Sequence, residues 1–226
     1  MKKLLVASAV ALFGLSNAQI AKGTVYLSGQ ANFSQVSDNN TDEKTTEVAI
    51  VPTVGYFVNT NLAVGLGVGY KHDKASFETT TTPLPNITLT QEGKNIDNSI
   101  IVEPFVRKYW TIGEKLYIFG QLSVPMEFGS GKVEGSSTVV DNNVTPATTT
   151  TTSLSEDKAK FNSFGVTVKP GLDYFLNKNW TIEATIGEFG YNTRKYDIDG
   201  AKSVDNFNFG LNLSSVTIGV KYVFAK

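Results

Sequence analysis

A chain of 226 residues with 20 Lys and Arg against 21 Asp and Glu carries a formal net charge of −1, which argues against a nucleic-acid partner, because such a partner calls for a basic patch. Cysteine is absent, so a disulfide framework, a thiol nucleophile and a lipid-bearing cysteine are all excluded, and stability has to come from packing and hydrogen bonding. Twenty glycines and 14 phenylalanines, with no Pro-rich or Ser-rich linker to divide the sequence, point to one β domain.

Lys2 and Lys3 precede an apolar run over residues 4–15 that ends in Ser16, Asn17 and Ala18. A basic start, a short apolar stretch and small residues after it mark a secretory leader. Cleavage is expected between Ala18 and Gln19, making residues 1–18 a signal peptide and residues 19–226 a single domain. The run is about 12 residues, short of the roughly 20 that a membrane-spanning helix requires. Without Lys2 and Lys3 the remainder has a net charge of about −3.

Beyond the leader no helical stripe stands out. Eight segments alternate apolar residues with small or polar ones, over residues 24–35, 46–57, 61–74, 98–109, 115–128, 161–175, 179–192 and 211–224. Their length, about 10 to 14 residues, exceeds that of ordinary soluble strands and suits strands that cross a bilayer at a tilt. Connections 58–60, around 111–113, and 176–178 are short. Connections 36–45, 75–97, 129–160 and 193–210 are long, and long alternates with short throughout. An up-and-down outer-membrane barrel has this form, with tight periplasmic turns, long extracellular loops and both termini on the periplasmic side. The threonine runs 79–82 and 148–152 lie in two of the long connections and are expected to be mobile, solvated loop tips.

The two faces of each segment differ in kind. In the third, Leu62, Val64, Leu66, Val68 and Tyr70 oppose Ala63, Gly65, Gly67, Gly69 and Lys71; in the last, Val216, Ile218, Val220, Tyr222 and Phe224 oppose Thr217, Gly219 and Lys221. The small or charged face collects Lys71, Glu103, Arg107, Glu127, Lys169, Asp173, Glu183 and Lys221. A lysine or arginine facing lipid at mid-bilayer costs about 2 to 4 kcal/mol, so this face is assigned to the lumen, where opposite charges can pair. An interior network is expected from Glu103, Arg107, Lys169, Asp173, Glu183 and Lys221, with Arg107, Asp173, Glu183 and Lys221 toward the periplasmic half. Its expected role is to fill and rigidify a closed lumen, since eight strands leave an interior just wide enough for side chains. An ion-selective constriction is the alternative. A soluble barrel with an apolar lumen requires the opposite facing.

Tyr56, Trp110, Tyr174, Trp180, Tyr222 and Phe224 cluster at the short-turn ends, and Phe33, Tyr70 and Phe128 at the other, as the headgroup levels favour. Pro52, Pro104 and Pro170 fall within strands, where proline is disfavoured. Glu188 breaks the outward phase unless a bulge near Gly187 or Gly190 turns it aside.

Together the leader, the eight alternating strands, the loop asymmetry and the aromatic closing strand resemble the small outer-membrane barrel family typified by OmpX and the barrel domain of OmpA. The resemblance spans the chain after the leader. It implies location in a bacterial outer membrane, contact with outer-membrane lipid and lipopolysaccharide, and recognition of the closing strand by the barrel insertion machinery through a terminal phenylalanine. Here Phe224 is followed by Ala225 and Lys226, which departs from that ending.

No phosphate-binding glycine loop or zinc cluster is present, and Gly65, Gly67 and Gly69 lie within a strand and are read as lumen packing. No cofactor is expected. The single histidine, His72, lies near Ser76 and Glu78, but a nucleophile, base and orienting acid require a convergence that proximity on one strand does not supply. Loop acids Asp38, Asp42, Glu43, Asp141 and Asp197 are read as solvated charge. The expected function is that of a non-enzymatic scaffold whose loops meet a surface ligand in adhesion, protection or envelope integrity. A narrow channel for small solutes or apolar molecules, and an outer-leaflet lipid-modifying enzyme at His72, are the alternatives.

Overall fold

The computed structural model describes residues 19–38, 41–210 and 216–224. The expected leader with Ala18 lies outside the described residues, which begin at Gln19, as do Ala225 and Lys226. Among the described residues there are eleven strand segments: β1 (Val25–Asp38), β2 (Glu43–Asn59), β3 (Leu62–Leu84), β4 (Ile87–Thr111), β5 (Leu116–Ser123), β6 (Met126–Asp141), β7 (Thr148–Phe175), β8 (Trp180–Ile186), β9 (Glu188–Tyr196), β10 (Val204–Gly210) and β11 (Val216–Phe224).

These segments fill eight positions in a ring. β1 pairs β2, β2 pairs β3 and β3 pairs β4. β4 pairs β5 near the turns and β6 farther out, and both pair β7 on their other side. β7 in turn pairs β8 and β9; β9 pairs β10, and β8 pairs β11, which returns to β1. Every pairing is antiparallel, and the circuit closes where β11 pairs β1 over Val25–Ala31 and β8 on its other side, which gives the backbone groups there the partners that a strand structure in lipid requires.

Local chemistry sets the ends. At the β2–β3 turn Asn61 adopts a left-handed φ of 56°, and its side-chain oxygen accepts from the Ile20 backbone N–H at 2.8 Å. Between β7 and β8 the side-chain oxygen of Asn177 accepts from the backbone N–H groups of Asn179 and Trp180, both at 2.9 Å. Asparagine does both because its short amide can substitute for a backbone partner.

Side-chain facing follows strand parity. Leu27, Val54, Leu66, Ile100, Val166 and Val220 are half-exposed around the ring, whereas Ser28, Thr53, Ser99, Thr167 and Lys221, each next in chain to one of them, are buried within it. So much apolar surface on a monomer's outside belongs in lipid. Aromatics close the turn end of this belt: Trp180 packs on Tyr222 and Tyr222 on Phe224, each with centroids 5.0 Å apart.

The irregularities have identifiable causes. Between β2 and β3 the pairing halts after Ile50–Tyr70 and resumes at Thr53–Gly67, bracketing Pro52. β5 and β6 share one register against β4 and are separated only by Val124 and Pro125, where the Val124 N–H donates to the Pro104 carbonyl at 3.0 Å. Pro170 stands opposite Gly120. Gly187, with φ of 73°, separates β8 from β9. Thr181, Glu183 and Thr185 face the lumen before it; after it the phase switches, so that Glu188 and Asn192 do.

The long connections differ from the expected mobile tips. β3 and β4 remain paired out to Thr81–Leu89, and β6 and β7 out to Asp141–Thr148, so both threonine runs are strand. β-Branched residues suit a pleated ladder, and a sheet wetted on both faces needs no apolar alternation to announce it. Thr80, Thr90, Thr138 and Thr151 align in one row across four strands, with hydroxyl oxygens 3.2 Å apart in the first pair and 3.1 Å in the last.

Candidate functional site: the stratified lumen

The lumen is layered from the turn end outward. At its floor Tyr26, Phe57, Tyr109, Tyr117 and Phe119 are buried together with Ile20, Ala63 and Val223. Ring centroids lie 5.7 Å apart for Tyr26 and Phe57, 5.4 Å for Phe57 and Tyr109, and 5.8 Å for Tyr109 and Phe119. These rings do not stand out in the sequence as lumen residues. Their parity carries the signal: Tyr109 shares its face of β4 with Arg107 and Phe105.

Glycines make the room. Gly55 stands opposite Tyr26, Gly65 opposite Phe105, and Gly171 opposite Phe119. A Cβ on any of the three would fall 2.1 or 2.2 Å from that ring. Each aromatic therefore lies across the neighbouring strand in space that only glycine leaves free.

On this floor sit four charged side chains, all essentially excluded from solvent: Arg107, Asp173, Glu183 and Lys221. Arg107 Nη1 donates to Glu183 Oε2 at 2.5 Å and Nε to Gln121 Oε1 at 2.7 Å, while the guanidinium lies 4.3 Å over the Phe119 ring. Glu183 also accepts from Gln30 Nε2 at 2.9 Å. Lys221 pairs with Asp173 and donates to the Tyr109 hydroxyl at 3.2 Å, its Nζ lying 4.0 Å from Glu183. Two cations meet two anions, so the layer is neutral.

Gln121 links this layer to the next. Its Nε2 donates to Ser123 Oγ at 2.8 Å and to Glu103 Oε1 at 3.2 Å, and Glu103 in turn accepts from Lys169 Nζ at 3.1 Å. Farther out Lys169 reaches Glu188 at 3.5 Å, Lys71 reaches Glu47 at 3.3 Å and Asp73 at 3.2 Å, and Arg194 reaches Asp97 at 2.8 Å and Glu127 at 3.3 Å. Among these partners Glu47, Asp73, Asp97, Glu188 and Arg194 lie outside the interior set that the sequence leads one to expect. A cavity of about 410 Å³ occupies this level. Phe161 and Tyr196, 5.5 Å apart, with Arg194 4.3 Å over the Phe161 ring, cover part of one side.

His72 sits away from the lumen, with Nδ1 2.8 Å from Asn98 Oδ1. The Ser76 hydroxyl donates instead to the Lys44 backbone carbonyl at 3.4 Å. Among the described residues no group of three or more His, Asp or Glu could hold a metal ion.

A closed ring of eight antiparallel positions, apolar toward lipid and charge-paired within, defines a transmembrane β-barrel of the bacterial outer membrane. Residues 5–224 match the family described as outer membrane protein beta-barrel domain, and the chain belongs to that family. Solved structures of similar form include the N-terminal barrel of OprF from Pseudomonas aeruginosa (9% identity, covering 91% of this chain and 100% of that one, TM-score 0.43). OprG from the same organism is 14% identical over 91% of this chain and 98% of its own, with a TM-score of 0.41. The Escherichia coli outer membrane protein W is 13% identical over 90% and 99%, with a TM-score of 0.39. No curated protein sequence matches the chain.

Proposed function

We propose that this barrel is a non-enzymatic scaffold whose lumen is sealed against passage and whose work is done by the sheet it raises outside the membrane. The observation that carries this reading is the continuation of β3, β4, β6 and β7 as one four-stranded sheet beyond the apolar belt. A wide, polar, threonine-rich platform on a rigid base presents ordered hydroxyls to whatever adheres, without the ordering cost that a loop would carry. The sealed floor favours this role over that of a channel, because solutes crossing the barrel would have to displace both the rings and the charge layer.

The test compares cells displaying the intact protein with cells displaying a variant in which residues 77–93 are replaced by a two-residue Asn-Gly turn, which keeps Ser76 opposite Lys94. Attachment to mucin-coated and bare surfaces should fall while outer-membrane recovery and heat-modifiable gel mobility are retained. Equal attachment by a correctly inserted variant would refute the reading.

A further inference from the structure

The charge layers of the lumen do not balance alike. The floor layer is neutral, but above it, among the described residues, Glu47, Asp73, Asp97, Glu103, Glu127 and Glu188 are shared among Lys71, Lys169 and Arg194, each cation held between two carboxylates. Four of those acids and two of the lysines line the cavity of about 410 Å³. An excess of negative charge inside low-dielectric walls draws in cations more strongly than the same charge on an open surface.

A second observation points to a ligand. Thr167 faces this cavity on β7, is only 3% exposed, and its hydroxyl has no hydrogen-bond partner. Buried hydroxyls are nearly always satisfied, and an unsatisfied one at a cavity wall invites an explanation. Gln30, Asn32, Asn192 and Asn208 add amide groups to the same wall.

We propose that the vestibule above the sealed floor is a binding pocket for a small organic polycation, a linear chain carrying two or more ammonium groups, taken from the external side. Carboxylates spread around the wall suit separated ammonium groups better than one metal ion, which needs its ligands converged on a point. The volume lies in the range of small-molecule pockets. Glu188 and Glu47 remain partly exposed, so a ligand can reach them without unfolding their ion pairs. The proposal rests on the sealed floor but not on the adhesive role of the outer sheet, and attachment assays and ligand titration read the two separately.

The experiment is calorimetric titration of spermidine into the full chain in zwitterionic micelles free of lipopolysaccharide, with magnesium chloride and sorbitol as parallel titrants. Saturable binding of one spermidine per barrel, weakened by added salt, is expected, with no comparable response to magnesium or sorbitol. Glu127→Gln combined with Glu188→Gln should weaken binding by about tenfold or more, since each ammonium loses a charged partner. Thr167→Val, which removes the hydroxyl and keeps the shape, should weaken it by about threefold to tenfold. Retained heat-modifiable mobility establishes that the variants are folded. Absence of saturable binding, equal competition by magnesium, or unchanged affinity in all the folded variants would each overturn the proposal.

Discussion

Arg107 and Glu183 meet inside the barrel at 2.5 Å although they lie on β4 and β8, and their side chains are 1% and 0% exposed. A pair so placed is costly to break from one side, because the partner left behind is a buried, unpaired charge. Arg107→Met should therefore destabilise the barrel by about 3 to 5 kcal/mol. Arg107→Met together with Glu183→Met should cost less than the two single changes added, the signature of coupled neighbours. Urea unfolding in micelles followed by tryptophan fluorescence measures both, and strict additivity would show that the contact carries no coupling.

The glycines opposite aromatics give a sharper contrast. Gly171→Ala places a methyl 2.2 Å from Phe119, whereas Gly29→Ala meets nothing within 4 Å. Overpacking of a filled interior costs about 1 to 3 kcal/mol, so Gly171→Ala should lower the unfolding midpoint and Gly29→Ala should leave it nearly unchanged. Equal effects would mean that backbone freedom, and not space, is what these glycines provide.

Much of this architecture is legible in the sequence, and the limits of that legibility are physical. The alternation from Leu62 to Lys71 reveals a strand and both its faces because one side meets lipid and the other a crowded lumen. Tyr26, Phe105 and Phe119 are harder to assign, since an aromatic ring suits either a lipid belt or a lumen floor; the glycine opposite each on the neighbouring strand, unseen until the register is known, marks them as lumen rings. Glu188 looks misplaced until Gly187 is found in a left-handed conformation. The outer sheet escapes notice because threonines wetted on both faces leave no periodic signal, and a polar tract within a long connection reads as a loop. Of the ionic pattern, the residues of the neutral layer stand out because they share one face of their strands with small residues, whereas Arg194 and Asp97 lie in segments that read as connection.

The facing of the barrel can be tested with one pair of neighbours. Val220 is half-exposed at the middle of β11 and Lys221 is wholly buried. Val220→Lys puts an ammonium into lipid and should cost about 2 to 4 kcal/mol in a bilayer unfolding assay. A soluble barrel with an apolar interior would instead expose residue 220 to water or pack it in its core. A negligible effect in bilayers would thus show that this face does not meet lipid.

The last prediction concerns the buried floor of the lumen. Eight strands enclose little more than their own side chains, and here the rings of Phe57 and Tyr109, with centroids 5.4 Å apart, lie beneath the buried charge layer. The intact barrel should give no steady current in a planar bilayer. Phe57→Ala with Tyr109→Ala removes two rings from the floor, and although loss of each core ring costs about 3 to 5 kcal/mol, a molecule that still shows heat-modifiable mobility is folded and can be assayed. Such a barrel should pass a small current that favours cations, because the acids outnumbering Lys71, Lys169 and Arg194 line the approach to the gap from the outer side. A steady current through the intact barrel would show that the floor opens, whereas a current without cation preference in the variant would show that the outer charges do not govern entry.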